Sequence, residues 1–207
     1  TNGIPTCGKA GLYLWSNLKR VGIERDGWKI HNVLSCQPGP HNKLAGMPYE
    51  DEVVSHCAPL LDATIAEMQE HCKKMGKHFI ILTLGRTAFK RIMGIPNKSH
   101  IFKEEYLCYP FWSEKYGAWV LAGDHPSYLM RGNSHLLPIL QFVAQRALEI
   151  AEYGLKLDEG DYLLDPNPST FQQWVADYHE MLRRDPTNTF LSFDIETPMK
   201  RGKSEDD

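Results

Sequence analysis

The chain has 207 residues, of which 42% are hydrophobic and 24% are charged, and its formal net charge is −3. This composition is that of an ordinary globular protein and excludes a disordered or fibrous chain. The longest apolar runs fall far short of the roughly 20 residues that a membrane span needs, and no signal-peptide pattern opens the chain. We therefore expect no membrane partner and a cytoplasmic location.

The distribution of charged residues indicates what kind of partner the chain could bind, and the number of cysteines indicates whether disulfides are expected. Residues 1–150 carry 17 Lys and Arg against 13 Asp and Glu, whereas residues 151–207 carry 6 against 13. The basic excess of the first part suits an anionic partner, although it is too small to specify one. The 5 cysteines are an odd number at irregular spacing, which predicts reduced thiols, with or without a bound metal, and no disulfide framework.

Apolar periodicity predicts alternating helices and strands as far as residue 151. In chain order the expected elements are a helix from Gly11 to Val21, a strand from Trp28 to Leu34, a long helix from Val53 to Met75, a strand from Phe79 to Leu84, a helix from Thr87 to Met93, a strand from Ala118 to Ala122, and a helix capped by Ser134. This order is typical of an α/β fold with a mainly parallel sheet and helices on both faces.

The composition changes near residue 154, which predicts a domain boundary. We expect a first domain over residues 1–153, a turn-rich linker over 154–168 and the start of a second domain over 169–207. A helix with a capping box at Ser169 and Gln172 opens the second domain, and a strand from Thr189 to Phe193 follows it. Because the sequence leads from a loop straight into a helix, the first domain is also expected to lack its first strand.

Two acidic residues, Asp194 and Glu196, follow the last predicted strand. Side chains at i and i+2 of an extended segment project to the same face, so the two carboxylates converge. Such a pair can bind Mg²⁺ or Mn²⁺ for phosphodiester hydrolysis. An isolated Asp-x-Glu triplet is more often surface charge, and both interpretations stay open on spacing alone.

The sequence from Phe190 to Thr197 resembles the first motif of proofreading 3′-to-5′ exonucleases in DNA polymerases of bacteriophage and bacterial type. This resemblance implies that Asp194 and Glu196 are catalytic metal ligands at the start of a ribonuclease-H-like exonuclease domain. The remaining motifs of that family are absent, so residues 169–207 form an incomplete domain. The implied partner is the remainder of a polymerase chain.

Five segments, in order, resemble the iron–sulfur type of uracil-DNA glycosylase. They are residues 3–11 (GIPTCGKAG), residues 30–38 (IHNVLSCQP), Cys57, residues 84–86 (LGR) and residues 125–131 (HPSYLMR). Together they cover most of residues 1–150 and imply a uracil-DNA-glycosylase-like fold.

The same resemblance implies roles for individual side chains. Asn32 would pair with the uracil edge, and His125 would donate a hydrogen bond to the departing base as the catalytic residue. Leu129 would wedge into the base stack, and Arg131 would bind phosphate. Thr6 belongs to base recognition, but it stands where the family has an aromatic residue that stacks on uracil.

Cys36 and Cys57 occupy two of the four cysteine positions that ligate a [4Fe-4S] cluster in this family. The other two positions would precede Thr1. Cys57 also fits the apolar face of the long predicted helix, which favours a small buried hydrophobic residue as the alternative.

These resemblances predict the N-terminal part of a DNA polymerase, in which a glycosylase-like domain binds DNA and recognises or excises uracil ahead of a proofreading exonuclease. The DNA would be single-stranded or primer–template. Alternatives are a non-catalytic DNA-binding module, which Thr6 favours, and a stand-alone uracil-DNA glycosylase. A different class is a nucleotide enzyme with residues 85–87 (GRT) as a phosphate-binding helix start.

Overall fold

The computed structural model describes residues 6–35, 44, 47–96, 106–156, 167–189 and 191. Contacts within the chain divide it into a first unit, Thr1–Leu157, and a second unit, Asp158–Asp207. None of the helices in the described ranges is long and apolar enough to cross a membrane.

The described part of the first unit contains five α-helices. They are α1 (Lys9–Lys19), α2 (Glu50–Lys74), α3 (Arg86–Met93), α4 (Pro126–Met130) and α5 (Leu137–Tyr153). Three-residue 3₁₀ turns at Arg25–Gly27 and Ser134–Leu136 complete its helical structure. The apolar periodicity predicted α1, α2, α3 and α5 to within about three residues at each end, which is the usual uncertainty of a helix boundary.

The sheet has three strands, β1 (Ile80–Leu84), β2 (Phe111–Ser113) and β3 (Ala118–Gly123), in the order β1-β3-β2. β1 runs parallel to β3, with Ile80 opposite Trp119 and Leu84 opposite Gly123. β2 pairs with β3 in antiparallel orientation. The described sheet is therefore small and mixed, and the expectation of a mainly parallel sheet is right only for β1 and β3.

Helices cover both faces of this sheet, as predicted. Ala118, Val120 and Ala122 point to one face and pack in a core with residues of α2 and α3, including Leu61 and Phe89. Leu121 points to the opposite face and packs against α5. Alternation of side chains along β3 thus supplies apolar contacts to both helical layers.

The segment Trp28–Leu34 does not form the predicted strand. Residues of this segment and of β1 line one cavity. None of the described strands pairs with this segment, so its backbone lacks the ladder of hydrogen bonds that defines a strand. In the described residues β1 consequently pairs on one side only, with β3.

Asp62 on α2 contacts side chains of α3 and of the turn between β2 and β3. Its carboxylate accepts hydrogen bonds from Arg91 on α3 at 2.7 Å and from Tyr116 at 2.6 Å, and it pairs with Lys115 at 3.0 Å. Partial burial by itself raises the pKa of Asp62, but these hydrogen bonds and positive charges outweigh it, so the net pKa lies below its ordinary value.

The second unit is described from residue 167 to 189 and at 191, and its helix is α6 (Pro168–Arg184). Asn167 caps this helix by accepting a hydrogen bond from the Thr170 amide at 2.9 Å, so the predicted cap at Ser169 is wrong by two residues. The rings of Phe171, Trp174 and Tyr178 stack along one side of α6. The predicted strand Thr189–Phe193 lies largely outside the described residues.

Candidate functional site

A cavity of about 570 Å³ lies beside β1 in the first unit. Its walls come from α1, α2, β1, the start of α3 and the segment Trp28–Val33. Three of the residues singled out from the sequence line it together: Thr6, Asn32 and His125. The fold therefore brings three distant segments to one concave surface of a size typical for ligand sites.

Thr6 is held firmly at the wall of this cavity. Its backbone has a φ of 58°, and its hydroxyl accepts a hydrogen bond from the Trp15 indole N–H at 3.1 Å. The guanidinium of Arg25 lies 5.9 Å from the centre of the Trp15 ring. Trp15 also lines the cavity, so the cavity has an aromatic wall although position 6 itself is not aromatic.

Gly11 allows this arrangement because it has no side chain. A Cβ at Gly11 would lie 1.7 Å from the Thr6 carbonyl oxygen, which is far too close for two heavy atoms that are not bonded to each other. The backbone of residue 6 therefore crosses directly over the first turns of α1. Sequence reasoning included Gly11 in a motif but did not assign it this packing role.

Asn32 is exposed at the end of the segment that faces β1. Its backbone carbonyl oxygen accepts a hydrogen bond from Nδ1 of His31 at 2.6 Å, which fixes the local backbone. The exposed side chain keeps an amide donor and a carbonyl acceptor for a ligand in the cavity.

His125 forms the N-cap of α4 and lines the same cavity. Its Nδ1 accepts a hydrogen bond from the Ser127 amide at 3.1 Å. An accepting Nδ1 carries no proton, so the neutral ring bears its proton on Nε2 and can donate a hydrogen bond from that atom. A neutral donor of this kind suits an oxygen that gains negative charge.

Gly85 lets the ring of His125 approach the start of α3. The φ of Gly85 is 91°, a value that side chains strongly disfavour, and a Cβ there would lie 3.0 Å from Cβ of His125. This proximity partly removes water from the His125 ring even though the residue retains exposed surface. Desolvation lowers the pKa of His125, and the positive charge of Arg131 lowers it further.

The lowered pKa of His125 predicts a pH-dependent stability. The unfolded chain takes up a proton near pH 6.5, whereas the folded chain resists protonation until a lower pH. Stability from this residue is therefore fully present above pH 6.5 and is lost as the pH falls through the folded-state pKa. Urea unfolding at pH 7.5 and at pH 5.5 should show a smaller acid loss in His125→Asn than in the parent.

Equal acid loss in the parent and in His125→Asn would show that His125 titrates alike in the folded and unfolded chains.

Leu129 and Arg131 have different environments although only one residue, Met130, lies between them. Leu129 is 0% exposed and packs against Leu14, Leu18 and Leu140, so this conformation does not present it to DNA. Arg131 is exposed just beyond α4, where a phosphate can reach it. A motif identifies these residues, but only the packing of α1 and α5 determines which one is buried.

The cysteines and carboxylates assigned to metals are mostly outside the described residues. Cys36, Asp194 and Glu196 all lie there. Cys57 is 3% exposed and belongs to the buried face of α2, with Val54 and Leu61. Among the residues that are described, no group of three or more His, Cys, Asp or Glu side chains could hold a metal ion. One buried thiol does not make a cluster site.

The described part of the first unit belongs to the class of α/β domains that carry a ligand-sized cavity beside a small sheet with helices on both faces. Within this class, the family model of the uracil DNA glycosylase superfamily matches residues 1–147. The chain belongs to this superfamily. No curated protein matches the chain.

Proposed function

We propose that the first unit binds DNA and receives one extruded base, uracil by preference, in the cavity beside β1. The observation that carries this proposal is the presence of Thr6, Asn32 and His125 on one cavity wall. Proteins that act on a base must take it out of the stack and read its Watson–Crick edge inside a pocket. Superfamily membership makes DNA the expected partner and disfavours the nucleotide-enzyme interpretation.

Base recognition in this proposal depends on the amide of Asn32. Uracil presents one donor and carbonyl acceptors on its pairing edge, and a single carboxamide can serve both types of atom. A carboxylate at position 32 keeps the shape but loses the donor. Asn32→Asp should therefore remove the preference for uracil while leaving the fold intact.

The experiment compares the dissociation constants of single-stranded oligonucleotides that differ in one base, uracil or cytosine, because these two bases differ on the pairing edge that the Asn32 amide would contact. The parent should bind the uracil strand more tightly, and Asn32→Asp should weaken that binding by about tenfold, since a two-point base contact is worth about 1–3 kcal/mol. Ser35→Asp adds the same charge on the same exposed segment outside the cavity lining and should match the parent. Equal loss in both variants would reduce the effect to charge repulsion and contradict the proposal.

Recognition without excision is the first form of this proposal, and Thr6 supports it. A threonine lacks the aromatic face that stacks on a base, which contributes roughly 1–3 kcal/mol. Excision is the second candidate, and it is favoured by the neutral Nε2–H donor of His125 at the cavity. Alkaline cleavage of a uracil strand after incubation distinguishes them, because only base release leaves a labile abasic site.

We propose further that the second unit begins a proofreading exonuclease of a DNA polymerase, with Asp194 and Glu196 as ligands of Mg²⁺ or Mn²⁺. The resemblance of residues 190–197 to an exonuclease motif supports this proposal. When bound, the metal would supply an activated water and charge stabilisation at the phosphodiester. In the whole protein, replacing both residues with Ala should abolish Mg²⁺-dependent 3′-to-5′ degradation and spare nucleotide addition. Unchanged degradation would identify them as surface carboxylates.

A [4Fe-4S] cluster held in part by Cys36 and Cys57 is a separate proposal, supported by the positions of these two cysteines in the family pattern. It needs two further thiolates besides them. Iron analysis of the whole protein, purified without oxygen, tests it directly. An iron-free and colourless preparation would leave Cys57 as a buried apolar side chain of α2.

A further inference from the structure

Leu129 cannot serve as an apolar wedge without opening the core of the first unit. It is 0% exposed and contacts a cluster that contains Leu14 and Leu18 of α1 and Leu140 of α5. Its backbone is also fixed, because its carbonyl accepts a hydrogen bond from the Asn133 amide at 3.1 Å. A protein that extrudes a base from a duplex still needs a side chain to occupy the space left behind.

Met130 has the opposite environment to its neighbour. It is 43% exposed and is the last residue of α4. Successive side chains on a helix point about 100° apart, so a buried Leu129 leaves Met130 directed away from the core. Methionine is long, unbranched and flexible, which allows it to fill an irregular gap between bases.

The position of Met130 relative to the cavity also fits a wedge. α4 starts immediately after His125, and its five residues rise by about 7–8 Å in total. Met130 therefore lies about 7–8 Å along α4 from His125, which lines the cavity. Arg131 follows Met130 and is also exposed. A cationic side chain that can contact a phosphate therefore lies next to an exposed apolar side chain.

Hydrogen bonds at the end of α4 fix the backbone around Met130. The side chain of Asn133 donates a hydrogen bond to the Tyr128 carbonyl at 3.1 Å, and the Arg131 amide donates to the same carbonyl at 3.1 Å. A wedge works only when its backbone does not yield as the side chain separates two bases. These hydrogen bonds supply that support.

We propose that Met130, rather than Leu129, is the apolar side chain that enters the base stack when duplex DNA is bound. This inference rests on the proposed function of the cavity. It concerns duplexes only, because a single strand offers no intact stack that must be held open.

The test measures dissociation constants of the 207-residue protein for a uracil-containing duplex and for the corresponding single strand. Met130→Ala should weaken duplex binding by about tenfold and change single-strand binding by less than about twofold, whereas Met130→Leu should retain duplex binding. Phe142→Ala removes a comparably exposed apolar side chain from α5 and should match the parent on both substrates. 2-Aminopurine beside the uracil should brighten on binding to the parent and brighten less with Met130→Ala.

The possible failures are distinguishable. Duplex binding and 2-aminopurine signals of Met130→Ala equal to those of the parent would overturn the wedge and leave the base cavity in place. A parent that binds neither uracil substrate more tightly than its cytosine counterpart would overturn the proposed function and the wedge with it. Equal weakening on duplex and single strand would make Met130 an ordinary surface contact and overturn the inference.

Discussion

Replacing Phe89 with Ala should lower the free energy of unfolding of the first unit by about 3–5 kcal/mol, because the change removes a large buried ring and leaves a cavity. Phe89 is 0% exposed, and its ring centre lies 4.8 Å from that of Tyr106 and 6.1 Å from that of Phe111. Such a loss is a large part of the about 5–15 kcal/mol that keeps a domain folded. Urea denaturation followed by far-ultraviolet circular dichroism measures it.

The control for this experiment is Phe142→Ala, since Phe142 is 55% exposed on α5. That substitution should change the free energy of unfolding by no more than about 0.5 kcal/mol. A loss below about 1 kcal/mol in Phe89→Ala would mean that the core between α3 and the sheet is not packed as described.

Replacing Gly11 with Ala should distort the cavity, because the added methyl group would overlap the backbone of residue 6. The added Cβ would overlap the Thr6 carbonyl oxygen at 1.7 Å, so residue 6 must leave its place and give up the hydrogen bond from Trp15. We expect a loss of about 1–3 kcal/mol in the free energy of unfolding, as in other overpacked sites. Binding of a uracil strand should weaken by about tenfold or more, which corresponds to about 1.4 kcal/mol.

Gly8→Ala is the matched control for Gly11→Ala, because a Cβ at Gly8 meets no atom within 4 Å. The two substitutions add the same methyl group three residues apart, and only the one at Gly11 forces residue 6 to move. Unaltered binding and stability in Gly11→Ala would show that residue 6 does not pack against α1 as described.

The sequence was sufficient for those elements whose apolar residues recur with a clear period. α2 and α5 bury one stripe of side chains, and β1 and β3 are continuous apolar runs bounded by turns, so their patterns predict them. β2 has only three residues, Phe111–Ser113, and is too short to show a period. Trp28–Leu34 has the composition of a strand, but pairing depends on a neighbour that local sequence does not reveal.

The sequence predicted only part of the candidate site. Motifs supplied Thr6, Asn32 and His125, and all three line the cavity. The burial of Leu129 depends on Leu14 and Leu140, which are distant in sequence, so a motif cannot reveal it. The proton position on His125 depends on one hydrogen bond from Ser127, which appears only when α4 is built.

In the part of the chain that the structure describes, β1 pairs with β3 alone, and this divides its backbone amides into two kinetic classes. In a parallel pair, alternate residues of a strand direct their amides to a given neighbour, so about half of the β1 amides bond to β3 and the others face the cavity. The cavity-facing amides should exchange hydrogen for deuterium by local solvent access, whereas those bonded to β3 must wait for the sheet to open. A base or other guest that fills the cavity should therefore slow the fast class and leave the slow class unchanged.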